Sequence, residues 1–344
     1  MRFLSNVDDV QLRQDIKNSV FSRVYFVYGG EDYVKRTSVD LLVKSFTGGD
    51  TESFDFKRLS GDTTSVDDVF DATQTMPLMS KYVCALVCDF PFESLDDGDF
   101  EALKQIISDV PDTSVLIFWQ LAEPKGKTNK QNAVINLVKK VGCAVECSLK
   151  TGASLQKTVG AGIRKRGCSI SERSLRYLID TVGSDLYLLL NEVEKLTAYR
   201  PGGEITNGDI DKLCTRSLEL DAFDVTRAVI SGNCDAAFSA LRELFILREE
   251  PIRILGAIIA AYVDMYRVKV ALARDGVYNA LTDAFSCYKK DFRLKKAAVN
   301  ASKVSLEDLR KALEVLDRAD ELMKSTGADE KRVLEELIVR LVMI

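Results

Sequence analysis

Gly29-Gly30-Glu31-Asp32-Tyr33-Val34-Lys35-Arg36-Thr37 follows an apolar run and opens a helical pattern, which is where a phosphate-binding loop would sit. That chemistry needs G-x-x-x-x-G-K-[ST]: backbone amides cradle the phosphates, lysine neutralises them and the hydroxyl holds magnesium. Counted from Gly29, Lys35 is in place, but Val34 replaces the second glycine and Arg36 the hydroxyl residue. Counted from Gly30, Thr37 fits, and Lys35-Arg36 stands where Gly-Lys belongs. Glu31 and Asp32 set two carboxylates where phosphates would lie. Downstream, Leu86-Val-Cys-Asp89 ends in a single acid, and Phe90 takes the place of the carboxylate that would polarise water. Nucleotide binding stays open on this spacing and hydrolysis is disfavoured; a strand-turn-helix without a ligand is the plainer reading.

The chain has no histidine, which removes Ser-His-Asp and Cys-His nucleophile systems, histidine-containing zinc sites and histidine pH switches. Eight cysteines remain, at 84, 88, 143, 147, 168, 214, 234 and 287. Cys84/Cys88 and Cys143/Cys147 share a C-x-x-x-C spacing that raises a four-cysteine zinc site. Each pair lies in a strand-like run, however, where residues four apart sit about 13 Å from each other, too far to share a metal. Buried, reduced, structural cysteine is expected. No pair of carboxylates stands out as an acid-base couple.

Gln74-Thr-Met-Pro-Leu-Met-Ser80 offers a different chemistry, that of recognition. Pro77 stops a helix and leaves Leu78 and Met79 at the bend before the next strand. Two large flexible apolar side chains there would either project as an anchor for a partner's pocket or turn inward to cap the sheet. On side-chain physics alone the inward cap is favoured. Three small basic clusters, Lys125-Gly-Lys-Thr-Asn-Lys130, Arg164-Lys-Arg166 and the lysine pairs 289/290 and 295/296 around Phe292, are candidates to meet phosphates, against the commoner reading of solvated charge.

The elements that must position these groups change character along the chain. Its 344 residues suffice for two or three domains, and a 46% hydrophobic, 29% charged composition is that of a globular protein. The net charge of −5 argues against coating nucleic acid over most of the surface. Residues 1–149 alternate strand and helix signals. Strands are expected at 23–28, 82–89, 114–119 and 143–148, and helices at 32–46, from Ser65 to about Met76, 98–108 and 130–141. Ser65 is an N-cap with Asp68 three residues on, and Val66, Val69, Phe70 and Thr73 share one helical face. The expected fold is α/β with a parallel sheet, followed by all-α segments. Residues 150–213 suggest three short helices, and 214–344 a bundle with helices near 221–231, 233–247, 251–274, 277–286, 291–300, 305–324 and 328–343. The stretch 252–273 is expected at the centre of that bundle or at an oligomer interface. Met1 to Asp15 lacks the apolar core of a secretory leader, and no apolar run approaches about 18 residues, so a reducing cytoplasm is expected.

Four pieces together resemble the delta-subunit family of the bacterial DNA polymerase III clamp loader, over nearly the whole chain. They are Val24-Tyr-Phe-Val-Tyr-Gly-Gly-Glu-Asp-Tyr33, Thr75-Met-Pro-Leu-Met-Ser-Lys81, Asn191-Glu-Val-Glu-Lys-Leu196 and Leu316-Asp-Arg-Ala-Asp-Glu-Leu-Met-Lys-Ser325. They are similar to the family's strand and Gly-Glu turn, its clamp-contacting turn, its lid and the end of its collar. The resemblance implies an AAA+-like module over 1–149, a helical lid over 150–213 and a helical collar over 214–344 that holds neighbouring subunits. It implies a protein that is not itself an enzyme and needs no cofactor, binding and opening the sliding clamp (beta subunit) through Met76, Pro77, Leu78 and Met79. Its other partners would be gamma/tau and delta-prime subunits and, within the complex, primed DNA. Gly29, Gly30 and Lys35 would be a degenerate phosphate loop. The family's contact turn usually ends in Leu-Phe; Leu78-Met79 keeps an apolar filler and omits the ring. The rivals are an active P-loop ATPase or kinase with a helical substrate domain, and another inactive AAA+ subunit of the delta-prime type. The zinc-binding cysteines and Ser-Arg-Cys of that type are not found; Thr215-Arg216-Ser217 is the nearest match.

Overall fold

The computed structural model describes residues 6–61, 63–121, 128–216, 218–278, 281, 292–325 and 327–344. Lys125 and Lys127, most of the expected helix at 277–286, Cys287, Lys289 and Lys290 lie outside the described residues, as does the Phe292 side chain. The chain separates into two compact units, Met1–Leu149 and Lys150–Ile344.

The first unit is built on a six-stranded parallel sheet. Its strands are β1 (Asn6–Asp8), β2 (Val24–Tyr28), β3 (Phe56–Ser60), β4 (Val83–Cys88), β5 (Ser114–Trp119) and β6 (Cys143–Glu146), in the spatial order β1-β6-β2-β5-β4-β3. The helices are α1 (Asp9–Lys17), α2 (Asp32–Thr47), α3 (Val66–Gln74), α4 (Asp97–Ser108) and α5 (Asn129–Val141). β5 is buried along its full length because helices cover both sheet faces, which is why it reads as a continuous apolar run. α3, α4 and α5 pack where Phe26, Val87, Leu116, Phe118 and Ala144 point. α1 and α2 cover the other face, where the Tyr25 and Phe46 rings meet at 6.1 Å.

The parallel sheet and the helical remainder agree with the expectation, and the differences have physical causes. β3 went unread because Phe56-Lys-Arg-Leu-Ser60 is an edge strand with a mixed, half-exposed pattern. β1 and α1 lie in the opening stretch, for which no element was expected; Asp8 caps α1 by accepting from the Gln11 N–H at 2.8 Å. α3 has the expected capping box, with the Ser65 hydroxyl accepting from the Asp68 N–H and Asp68 accepting from the Ser65 N–H. It ends at Gln74, two residues earlier than expected, with Thr75 extended. Val66, Val69 and Thr73 are buried as expected, but Ala72 takes the fourth buried place and Phe70 is 47% exposed.

The second unit opens with α6 (Gly152–Lys165), α7 (Glu172–Val182), α8 (Leu186–Tyr199) and α9 (Asn207–Leu213), which pack on one another beside a two-stranded ribbon of β7 (Ser169–Ile170) and β8 (Glu204–Ile205). Four helices stand where three were expected. α6 is the addition, and it begins at Gly152 behind a Thr151–Ser154 capping box rather than at an acidic first turn. Helices α10 (Leu218–Ile230), α11 (Cys234–Ile246), α12 (Pro251–Asp275), α13 (Phe292–Ala301), α14 (Leu306–Lys324) and α15 (Glu330–Val342) share one core. α12 contacts α10, α13, α14 and α15 and buries Ile254, Leu255, Ile258, Met265 and Val268, so it is the central helix of the bundle, as expected.

One capping interaction in this unit sets an acid limit. Asp209 accepts from the Thr206 N–H at 2.9 Å and its hydroxyl at 2.7 Å, and from Arg200 Nε at 2.9 Å. The Thr206 donors first, and Arg200 after them, pull its pKa from 3.8 down to about 2. A depressed folded pKa contributes stability above the unfolded value and loses it as pH falls through the folded one. Thermal stability should therefore decline between pH 3.8 and about 2, and Asp209→Asn should flatten that part of a calorimetric pH series.

Candidate functional site

β4 and β3 run parallel, so the segment entering β4 and the segment entering β3 meet at the same edge of the sheet. The first is Met76-Pro-Leu-Met-Ser80; the second contains Asp55, which is 3% exposed. The Asp55 carboxylate accepts from three consecutive backbone amides: Leu78 N–H on Oδ1 at 2.7 Å, and Met79 and Ser80 N–H on Oδ2 at 2.7 and 2.5 Å. These bonds, that to Leu78 the largest, hold its pKa below the usual carboxylate value. The Asp55 carbonyl accepts from the Cys84 N–H at 2.8 Å, which ties the same residue to the first turns of the ladder. Lys57 Nζ donates to Thr75 Oγ1 at 2.5 Å and fixes the end of α3 on the approach side.

With the backbone consumed by Asp55, the side chains of the bend face solvent. Met76 is 71% exposed, Leu78 76% and Met79 83%, while Pro77 is half-buried. The inward cap favoured on side-chain physics alone does not form, and the bend projects, as its resemblance to a contact turn implied: Val69, Ala72, Val83 and Ala85 are buried without it, and the amides of the bend are turned to Asp55. A protein surface seldom displays three such side chains in four residues without a use for them. Asp55 is the residue of this candidate site that the sequence reading missed. Its partners are 23 to 25 positions away, and no local spacing signals them.

Gly29, Gly30 and Lys35 sit at the opposite end of β2, between β5 and β6, where open α/β sheets hold ligands. Here the chain fills that position itself. A Cβ on Gly29 would stand 2.4 Å from the Cys147 carbonyl oxygen, and one on Gly30 would stand 2.9 Å from the Leu149 side chain. The Glu31 N–H, one that a phosphate would use, donates to the Cys147 carbonyl at 3.0 Å, and the Glu31 side chain is buried. Lys35 is 1% exposed; its Nζ donates to the Leu121 carbonyl at 2.6 Å and lies 3.0 Å from Asp32 Oδ1. Asp89, at the end of β4, accepts from the Leu121 N–H at 2.7 Å. The structure thus brings Met76, Pro77, Leu78 and Met79 together at one edge and Gly29, Gly30 and Lys35 at the other.

The other candidates are scattered. Cys84 and Cys88 lie along β4 and Cys143 in β6, and burial pushes the Cys84 and Cys143 thiols up to about 12. Arg164 and Arg166 end α6, and Lys295 and Lys296 lie in α13, where burial lowers the pKa of the half-buried Lys296. Among the described residues no cluster of cysteine and carboxylate side chains could hold a metal ion. No described helix is long and apolar enough to cross a membrane.

Comparison with known proteins adds the identity of the family. A family model for the DNA polymerase III delta subunit matches residues 25–148, one for the C-terminal domain of the same subunit matches 219–341, and a middle-domain model matches 157–212. The chain is 23% identical to the DNA polymerase III subunit delta of Bacillus subtilis over 334 residues, covering 95% of this chain and 94% of that one. It is 21% identical to a probable DNA polymerase III subunit delta of Aquifex aeolicus, covering 92% and 90%. The structure of the Bacillus subtilis DNA clamp loader delta protein has the same fold, with a TM-score of 0.77 at 21% identity and coverage of 98% and 100%. With the two delta-specific models falling on the parallel-sheet unit and on the helical bundle, the chain belongs to the DNA polymerase III delta subunit family.

Proposed function

We propose that this chain binds a ring-shaped sliding clamp through Met76, Pro77, Leu78 and Met79 and opens one of its interfaces, as a non-hydrolysing subunit of a clamp loader. The observation that carries the reading is the pair Leu78 and Met79, more than three quarters exposed on a backbone immobilised by Asp55. A preformed apolar prong loses little conformational entropy on docking, so more of the contact energy appears as affinity. Opening is then a population shift. A ring that springs between closed and open forms moves toward whichever the subunit binds better, by no more than that difference in affinity. α3, which runs directly into the prong, is the wedge in this reading.

Residues 150–213 act as the lid and 214–344 as the collar that holds the neighbouring subunits of the gamma/tau and delta-prime types, with primed DNA entering only within the assembled complex. The work is cytoplasmic. ATP acts through those neighbours, because Lys35, Gly29 and the Glu31 amide are engaged by Leu121, Cys147 and Asp32. The nucleotide arm is tested by calorimetric titration. The wild type should show no ATP binding at millimolar concentration, and Lys35→Met should cost about 1–3 kcal/mol of stability by stripping the donor from the Leu121 carbonyl. Submillimolar ATP binding that Lys35→Met removes would favour the P-loop ATPase reading instead. The clamp arm is tested by biosensor binding of the full chain to the clamp of its host and by release of that clamp from circular DNA; absence of both overturns the proposal.

A further inference from the structure

Phe54 is 78% exposed, and its neighbour Asp55 is 3% exposed. The two are the central residues of a turn closed by the Phe56 N–H donating to the Ser53 carbonyl at 3.0 Å. That turn fixes an alternation: Asp55 goes inward to the amides of Leu78, Met79 and Ser80, and Phe54 goes outward. Nothing in the turn demands a phenylalanine, since the first central position of such a turn accepts most residues and a polar one would be better hydrated. The carboxylate bonds also bound the separation. One Cα step, one aspartate side chain and one hydrogen bond place the Phe54 Cα within about 11 Å of the Leu78 and Met79 backbone. Phe54, Met76, Leu78 and Met79 are thus four large apolar side chains, each more than 70% exposed, on two segments locked together by three hydrogen bonds.

We infer that Phe54 is a second anchor on the sliding clamp, seated on apolar surface beside the pocket that takes Leu78 and Met79. The inference rests on the clamp-binding reading given above. Area argues for it: specific protein interfaces bury about 800 Å² on each partner, far more than two side chains of a bend supply. A neighbouring aromatic ring is the group most able to add energy, because Phe brings large area with few rotatable bonds. Its fixed turn means that ordering it on binding costs little.

The test is biosensor binding of full-length Phe54→Ala, Phe54→Leu and Leu78→Ala/Met79→Ala to the clamp of the host. Amide NMR spectra of the free variants report the Leu78–Ser80 signals. The expected result is roughly 10- to 30-fold weaker binding for Phe54→Ala, partial recovery in Phe54→Leu, and unmoved Leu78, Met79 and Ser80 amides. Binding within about twofold of wild type for Phe54→Ala, alongside loss in Leu78→Ala/Met79→Ala, overturns the second anchor and leaves the clamp reading standing. Weaker binding accompanied by displaced Leu78–Ser80 amides also overturns it, because the effect would then pass through Asp55. No binding by the wild type overturns both.

Discussion

Replacing Leu78 and Met79 together by alanine is expected to weaken clamp binding on the order of 100- to 1,000-fold without moving the thermal midpoint. Burying a leucine or methionine side chain is worth about 1.5–3 kcal/mol, and about 1.4 kcal/mol is tenfold in affinity. Two such side chains leaving water for a partner's pocket therefore account for most of a micromolar-to-nanomolar difference. The unchanged midpoint follows from their position, since they are 76% and 83% exposed and contribute little to the core. A scan by calorimetry beside the biosensor trace separates the two effects. Wild-type affinity in the double variant would move the clamp contact elsewhere on the molecule.

The second large effect is at a residue that does not touch the partner. Asp55→Asn keeps the shape of the side chain and replaces one oxygen by an N–H donor. Asp55 Oδ1 serves Leu78, and Oδ2 serves Met79 and Ser80, so either amide orientation sets a donor against a donor. The bend loosens, and clamp affinity should fall roughly tenfold or more with Leu78 and Met79 still present, because the prong must be ordered at the moment of binding. As a positioning residue, Asp55 has its own signature: hydrogen exchange of the Leu78, Met79 and Ser80 amides should accelerate in Asp55→Asn while that of the Val83–Cys88 strand stays slow. Equal acceleration of both would mark a merely structural role. The pH dependence has a definite sign. The Asp55 pKa is lowered by the amides it accepts from, so the ordered bend persists above the ordinary carboxylate value and is lost only as pH falls through the lower, folded one. Binding should be level from neutral pH down to the ordinary carboxylate range as far as this group is concerned.

Which parts of this arrangement are legible in the sequence follows from the range of the interactions. β5 is an uninterrupted apolar run with both faces covered, and its bounds can be read to the residue. The start of α3 is equally local, since Ser65 and Asp68 cap each other within one turn. β3 is not legible: adjacent Lys57 and Arg58 stand between Phe56 and Leu59 at a sheet edge, so there is no strict alternation, and helical and extended patterns fit five such residues alike. The outward pose of Leu78 and Met79 is implied by the family resemblance of the turn but not legible from side-chain physics, for a different reason. Apolar type predicts burial, and what overrides it is a carboxylate more than 20 residues upstream that claims the amides of the bend. Lys35 shows the converse. Its spacing from Gly29 suggests a phosphate ligand, and only the path of the chain past Leu121 reveals where its ammonium goes.

The parallel sheet has a last consequence, which concerns tolerance to change. Gly29 and Lys35 follow the carboxyl end of β2, and Asp55 and the 76–80 bend precede the amino ends of β3 and β4. Because all strands point the same way, these lie on opposite rims, separated by the length of a six-residue strand, about 20 Å. A substitution confined to one rim is expected to leave the backbone of the other in place, because no residue of one rim reaches across that distance. On the proposed reading, a lineage built this way is free to discard nucleotide chemistry on one rim one residue at a time and keep a clamp-gripping rim intact, so that an inert subunit and a capable one would differ by erosion on a single side of the same sheet.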